Sequence, residues 1–217
     1  TAFGNPLYHW SQVELKEFFN CELEINQKNA DLIWDWCNEF IKINNVTPQK
    51  LIESSSVTHL FTTNEIFDDL STFEEIAKKD YKFKVIPAFR ADKIMNIEAD
   101  GYLGFIEKLG EVKCINCLEE KIEQRLQDFI KVGTTAADIA LQSVYKVSDK
   151  KSAAEVFKRR LNGEEITEED AKIFKGYLTY FLFKLYAKYD IRTEVHLGAM
   201  RNNNSKMLEK LGLDTGF

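Results

Sequence analysis

The stretch Phe83-Lys84-Val85-Ile86-Pro87-Ala88-Phe89, followed by Arg90, decides the fold class of this chain. Its short run of β-branched and aromatic side chains ends at a charged residue, which is typical of a β-strand buried on both faces. Similar runs at 57–62, 134–140 and 193–197 predict three more strands. Longer amphipathic stretches separate these runs, so the pattern indicates a series of βα units.

The helices are predicted from amphipathic periodicity and from start signals. Amphipathic stretches predict helices at 29–43, 100–108 and 168–189. Thr47-Pro48 provides a cap followed by proline at the first helical position. Capping-box spacing, or nearly that spacing, predicts further helix starts at Ser11, Ser71, Asn116 and Ser152.

Polar residues follow or end each predicted strand, and this distinguishes two α/β architectures. Thr62-Thr63-Asn64-Glu65, Arg90, Asp138 and the block 196–204 occupy equivalent places. No glycine-rich phosphate loop follows a strand, which argues against an open dinucleotide-binding sheet. We therefore predict an α/β fold that is part of a (β/α)8 TIM barrel with additional helices. Residues 1–217 are interpreted as a single partial domain, an internal portion of a longer protein.

Composition excludes several classes of partner. The formal net charge is -6, so a nucleic acid or an anionic membrane would be repelled on average. No apolar run approaches the roughly 20 residues of a membrane span, and the first residues lack the pattern of a signal peptide. We expect a cytoplasmic protein with no nucleic-acid or membrane partner.

The four cysteines are too few for a disulfide scaffold at this length, so reduced thiols are expected. Cys114-Ile115-Asn116-Cys117 has the spacing of a zinc knuckle or a redox pair. No second pair accompanies it, and it lies at a predicted helix start, which leaves a structural interpretation open.

Four segments match motifs of one enzyme family: NPLYHWSQVEL at 5–15, PAFRADK at 87–93, HLGAMRNNN at 196–204 and LGLDTGF at 211–217. Together they resemble the uronate isomerases, or glucuronate isomerases, of the amidohydrolase-like metal-dependent barrels. The corresponding family motifs are N-P-L-Y-H-W-[ST]-x-x-E-L, P-x-F-R-P-D-K, H-[IL]-G-A-[ML]-R-N-N-N and L-G-x-D-T-G-F.

The resemblance implies an aldose–ketose isomerase of hexuronate catabolism that interconverts D-glucuronate with D-fructuronate and D-galacturonate with D-tagaturonate. It also implies a divalent metal, usually zinc, bound mainly by a His-x-His pair on the first barrel strand and an aspartate on the last. The three histidines of this chain include no such pair. We therefore place the metal ligands mostly outside the chain, assign none within it, and expect the chain alone to be inactive. A homo-oligomer is left open.

The chain departs from the family at three places. Thr62-Thr63-Asn64-Glu65-Ile66 replaces T-T-D-D-P, and Ala91 replaces the proline of R-P-D-K. Ile139 replaces the histidine of S-D-H-G, which we take as a residue at the barrel mouth. This last change, together with the absent metal ligands, leaves a catalytically silent or divergent paralog open. A metal-dependent hydrolase on the same barrel is a second alternative, which hydrolase-type ligands in the flanking sequence would distinguish.

The expected reaction requires a base that takes a proton from C2 and returns one to C1, and a group that holds the carboxylate. Arg90 is the first candidate for the carboxylate, because its planar guanidinium can donate two parallel hydrogen bonds; Arg201 is the second, with Asn202 beside it. The alternative for Arg90 is a surface pair with Asp92. His196 and Asp138 are the catalytic candidates.

Both catalytic candidates also have structural alternatives. His196 could be a satisfied interior group, and Asp138, which lies in an apolar strand, requires a partner in either role. The hypothesis requires Arg90 and His196 to project into one shared site.

Overall fold

The computed structural model describes residues 4–199, 201–213 and 215. Its elements, in chain order, are α1 (Pro6–Phe19), α2 (Ala30–Asn44), α3 (Pro48–Ser54), β1 (His59–Glu65), α4 (Ser71–Ile76), β2 (Lys84–Arg90), α5 (Asp92–Met95), α6 (Tyr102–Lys108), α7 (Ile115–Lys131), β3 (Ala136–Leu141), α8 (Lys150–Leu161), α9 (Glu168–Lys188), β4 (Arg192–Leu197) and α10 (Ser205–Leu211). All four predicted strands are present, with shifted bounds.

Two compact units can be distinguished within the described residues. The first comprises residues up to 60 together with 80–84, and contains helices α1, α2 and α3. The second comprises 61–79 and the described residues from 85 onward, and contains most of the sheet and the remaining helices. The interpretation of 1–217 as one partial domain stays a prediction.

The first unit shows how helix starts can differ from their predicted positions. Helix α1 begins at Pro6, with the Asn5 side chain accepting a hydrogen bond from the Leu7 N–H at 2.9 Å. Ser11 therefore lies inside the helix, and its prediction as a helix start is wrong. By contrast, Thr47 caps α3 and Pro48 is its first residue, as predicted.

The four strands form one sheet in the order β1-β2-β3-β4. The pairs β2–β3 and β3–β4 are parallel. Neighbours follow chain order, whereas a doubly wound sheet reverses its order at a switch point. This topology confirms the prediction of a barrel portion over an open doubly wound sheet.

The core of the second unit lies between the sheet and its helices. Ala137 and Ile139 of β3 are fully buried and join a cluster with apolar residues of α7 and α9, among them Phe129 and Leu182. Strands β1 and β4 are largely exposed, so the expectation that all four strands are buried on both faces is wrong for these two. They are the outer strands of the described sheet, and each has one neighbouring strand.

No helix that the structure describes combines the length and the apolar character required to cross a bilayer.

Candidate active site

The carboxyl ends of β2, β3 and β4 bring three of the predicted site residues together. Arg90, the last residue of β2, is in register with Asp138 of β3. Ala140, two residues further along β3, is in register with His196 of β4. Side chains two residues apart share a face of a strand, so Asp138 and position 140 point to the same side.

Asp138 lies between the other two predicted residues. The residue is only 7% exposed to solvent, and the Oδ2 atom of its carboxylate lies 3.5 Å from Arg90 Nη2. Its Oδ1 lies 3.0 Å from His196 Nε2, but this oxygen accepts no aligned hydrogen bond among the described residues. The requirement that a carboxylate in an apolar strand has a partner is therefore met by the guanidinium of Arg90, with the imidazole of His196 close by. Oδ1 keeps acceptor capacity that a ligand could use.

His196 is more accessible than Asp138. Its side chain is 49% exposed, and its Nε2 also lies 3.4 Å from Glu194 Oε1, on the same strand. Within the part of the chain that the structure describes, His196 is therefore not enclosed, and its role stays a prediction. The imidazole therefore lies between two carboxylates and is open to a small ligand.

The guanidinium of Arg90 is held in place by Asp92. Arg90 Nε donates a hydrogen bond to Asp92 Oδ2 at 2.8 Å, while Asp92 Oδ1 accepts one from the backbone N–H of Ala140 at 3.0 Å. Burial raises the pKa of the Asp92 carboxyl, partly opposed by the Ala140 N–H and by Arg90. The sequence predicts Asp92 only as an alternative partner for Arg90, because the bond from Asp92 to Ala140 depends on the strand register.

A further acidic residue, Glu65, ends β1. Its side chain is 18% exposed, with Oε1 3.7 Å from Lys93 Nζ, and its Oε2 is buried with no hydrogen-bond partner among the described residues. Burial raises the pKa of Glu65, and the charge of Lys93 opposes this effect. Glu65 is not among the site residues predicted from the sequence. The signal that could have identified it is its place in the segment Thr62-Thr63-Asn64-Glu65, which aligns with the family motif T-T-D-D.

Arg201 and Asn202 follow β4 in the segment that leads to α10. Arg201 is exposed, and Asn202 is half-buried with a left-handed backbone, φ 57°. Their roles as substrate-binding residues stay predictions. Met200, in the same motif, and Asp214, Gly216 and Phe217, in the last motif, lie outside the described residues.

The structure corrects the interpretation of Ile139. Its side chain is fully buried in the helix-facing core, on the opposite side of β3 from Asp138. The prediction that position 139 lies at the barrel mouth is therefore wrong for this chain. Isoleucine at this position removes no polar group from the cluster of Arg90, Asp138 and His196.

The described donors do not by themselves fit a metal ion. No group of three or more His, Cys, Asp or Glu side chains among the described residues is arranged to hold one. Zinc in proteins takes about four ligands, whereas Asp138 and His196 provide two. We therefore derive no chemical step through a metal on these residues.

The parallel sheet in chain order, with charged side chains clustered where its strands end, defines part of a βα-barrel enzyme. A family model described as glucuronate isomerase matches residues 1–217. The chain belongs to the glucuronate isomerase family.

Individual relatives agree with this assignment. The chain is 40% identical to a uronate isomerase of Clostridium perfringens, over 99% of the chain and 47% of that protein. It is 38% identical to one of Caldanaerobacter subterraneus, over 100% of the chain and 48% of that protein. The chain thus spans about half the length of the curated relatives it matches.

Solved structures show the same fold. The uronate isomerase of Thermotoga maritima superposes with a TM-score of 0.91 at 25% identity, covering 99% of this chain and 49% of that one. The glucuronate isomerase of Caulobacter crescentus gives a TM-score of 0.87 at 22% identity, over 99% of this chain and 46% of that one. The prediction of part of a TIM barrel is confirmed.

Proposed function

We propose that the protein containing this chain is an aldose–ketose isomerase of hexuronates. Its substrates would be D-glucuronate and D-galacturonate, and its products D-fructuronate and D-tagaturonate. The observation that carries the proposal is the match of the glucuronate isomerase family over the whole chain. The cluster of Arg90, Asp138 and His196 at the strand ends supports it from the structure.

Arg90 is proposed to bind the carboxylate of the substrate. Asp92 occupies its Nε, which leaves N–H groups of the guanidinium to donate to a ligand. Arg90, Asp92 and Asp138 together carry an excess of negative charge when both carboxyls are ionised. Binding an anionic sugar there requires additional positive charge, and we propose that Arg201, beside Asn202, supplies it.

Asp138 and His196 are proposed to move the proton. The reaction takes a proton from C2 and returns one to C1, so a single base that keeps the proton in between is sufficient. His196 Nε2 lies 3.0 Å from Asp138 Oδ1 without an aligned hydrogen bond between them, so the imidazole would reorient before the two groups exchange a proton. Asp138 is buried and fixed by Arg90, whereas His196 is accessible to substrate.

The metal belongs to this proposal as well. A divalent ion, zinc by the family resemblance, would be held in the full-length protein mostly by residues outside this chain. The chain alone is therefore expected to be inactive. A cytoplasmic location and the absence of nucleic-acid and membrane partners stay predictions, and the oligomeric state is left open.

The test is an isomerase assay of the full-length protein with D-glucuronate and zinc, with ketose formation as the measurement. We expect ketose from the wild type and at least about a hundredfold loss in kcat/KM for Arg90→Gln. Arg159→Gln is the matched control, because Arg159 also pairs with an aspartate, Asp170, but lies on α8.

Two other outcomes would overturn the proposal. Bound metal without ketose formation would indicate the hydrolase alternative, and neither metal binding nor ketose formation would indicate a silent paralog. Since Ile139 faces the core, its identity no longer favours the silent paralog, and the metal ligands missing from this chain are the observation that still supports that alternative.

A further inference from the structure

Cys114 and Cys117 form a pair that the proposed isomerase reaction does not use. The structure pairs them as a disulfide at the start of α7, whereas the expectation from the sequence is reduced thiols. The two other cysteines, Cys21 and Cys37, are free. The chain therefore contains one coupled pair of sulfur atoms and two separate thiols for comparison.

The position of Cys114 favours its thiolate. Cys114 is the N-cap residue of α7, a helix of 17 residues, and its Sγ accepts a hydrogen bond from the Cys117 N–H at 3.2 Å. The field of a helix N-terminus and a donated N–H both stabilise negative charge on sulfur. Reactive cysteines in C-x-x-C motifs use the same environment.

Access differs between the two sulfur atoms. Cys114 is exposed and its neighbour Lys113 has a side chain that is 77% exposed, whereas Cys117 is half-buried. An incoming molecule therefore reaches Cys114 before Cys117.

The turn that carries the pair is anchored independently of the disulfide. Ile115 and Leu118, which flank Asn116 and Cys117, are buried in the core of the second unit. These apolar contacts do not depend on the oxidation state of the sulfur atoms. Opening and closing the disulfide is thus compatible with an unchanged helix start.

We propose that Cys114 and Cys117 are a thiol–disulfide exchange site whose ligand is a small-molecule or protein disulfide. In the oxidising direction, the Cys114 thiolate attacks one sulfur of the incoming disulfide and releases the other as a thiol. The Cys117 thiolate then attacks Cys114 Sγ in the mixed disulfide and releases the second thiol. The net change is two protein thiols oxidised and one external disulfide reduced, with both protons transferred to the released thiols.

The other cysteines lack this environment. Cys21 is 2% exposed, and burial raises the pKa of Cys37, with the nearby Cys21 adding to the effect. A smaller thiolate fraction makes a thiol slower in exchange. Cys21 and Cys37 are thus internal controls for the reactivity of Cys114.

The test equilibrates the native protein in glutathione buffers of increasing oxidised fraction. Samples are quenched with acid, unfolded and alkylated, and the alkylated cysteines are mapped by mass spectrometry. We expect Cys114 and Cys117 to lose alkylation together in a single two-electron step, while Cys21 and Cys37 stay alkylated. The readout is independent of isomerase activity.

Two variants separate the steps of the exchange. Cys117→Ser should accumulate a stable glutathione adduct on Cys114, because the resolving thiol is gone. In Cys114→Ser, the remaining Cys117 should react with oxidised glutathione at least about tenfold more slowly than Cys114 reacts in Cys117→Ser. Cys37→Ser is the matched control and should titrate like the wild type. Circular dichroism confirms that each variant is folded.

Several results would overturn the proposal. Independent oxidation of the two thiols would show that they are not coupled. A disulfide that resists excess dithiothreitol in the native protein would show a purely structural bond. Stoichiometric protection of both reduced thiols by added zinc would indicate a metal site instead.

Discussion

Arg90 Nε donates a hydrogen bond to Asp92 Oδ2 at 2.8 Å, and the second oxygen of the same carboxylate accepts from Ala140 of the neighbouring strand. One half-buried carboxylate therefore fixes both the guanidinium and the spacing between the ends of β2 and β3. Asp92 acts on the proposed substrate through Arg90, as a positioning residue.

Asp92→Asn should weaken substrate binding more than it slows the proton transfer. The amide retains one oxygen, which can accept from only one of the two donors, so Arg90 or Ala140 loses its partner. We expect about a tenfold increase in KM for D-glucuronate with a smaller change in kcat. Steady-state kinetics of the full-length protein measure this split.

Asp149→Asn is the control for this experiment. Asp149 also accepts a backbone N–H, that of Ser152, but does so as the exposed cap of α8, where asparagine is equally suitable. Equal kinetic effects of the two substitutions, or a loss in Asp92→Asn confined to kcat, would contradict the positioning role.

Ile139→His restores the family residue but should not improve activity. Position 139 faces the apolar core beside α7 and α9, so an imidazole there would be buried among side chains that offer it no hydrogen bond. We expect a loss of about 3 kcal/mol in the free energy of unfolding, measured by denaturant titration. The isomerase rate of the folded fraction should not rise.

Ala140→His is the matched substitution on the other face of β3. Ala140 is exposed and in register with His196, so a histidine there meets solvent and should cost about 1 kcal/mol or less. Higher activity in Ile139→His than in the wild type would refute our placement of this residue.

The sequence predicts the positions of the strands better than it predicts their exposure to solvent. The four apolar runs identify every strand of the described sheet because buried strands require such side chains. The exposure of β1 and β4 is not encoded in their own residues, since it depends on which strands lie beside them. The short helices α5 and α10, of four and seven residues, lack the length that makes periodicity readable.

In the candidate site, the sequence predicts the main residues but not all of their contacts and orientations. Arg90, Asp138 and His196 were predicted because polar residues at strand ends meet at one edge of a parallel sheet. The bond from Asp92 to Ala140 and the orientation of Ile139 depend on register and on strand alternation. Predicting either of them requires the strand bounds to within one residue, and hydrophobic periodicity does not give that precision.

Glu65→Gln should stabilise the protein near neutral pH and leave it unchanged in acid. Burial raises the pKa of Glu65 in the fold above its unfolded value, so its favourable contribution is complete below the unfolded pKa. That contribution is lost as the pH rises through the folded pKa, because the charge is then buried. A tenfold change in proton affinity corresponds to about 1.4 kcal/mol.

Denaturant unfolding of the wild type and Glu65→Gln at pH 4 and pH 7 (roughly, the two sides of a carboxyl titration) measures this effect. The gain from glutamine should appear at the higher pH and shrink at the lower. Glu74→Gln, at an exposed glutamate of α4, should show no such difference. A gain confined to the lower pH would reverse the sign and refute the argument.

Gly176→Ala should destabilise α9 although alanine is the better helix former. A Cβ at position 176 would lie 2.1 Å from the backbone oxygen of Lys146, in the segment between β3 and α8. The backbone cannot move aside as a flexible side chain can, so the helix and the segment must separate. We expect this to lower the free energy of unfolding by about 1–3 kcal/mol.

The matched control is Gly104→Ala in α6, where a Cβ would meet nothing within 4 Å. This substitution should instead stabilise the protein by about 0.5–1 kcal/mol. Thermal unfolding of the two variants should therefore show shifts of opposite sign, and a stabilised Gly176→Ala would show that the 146 segment does not pack on α9.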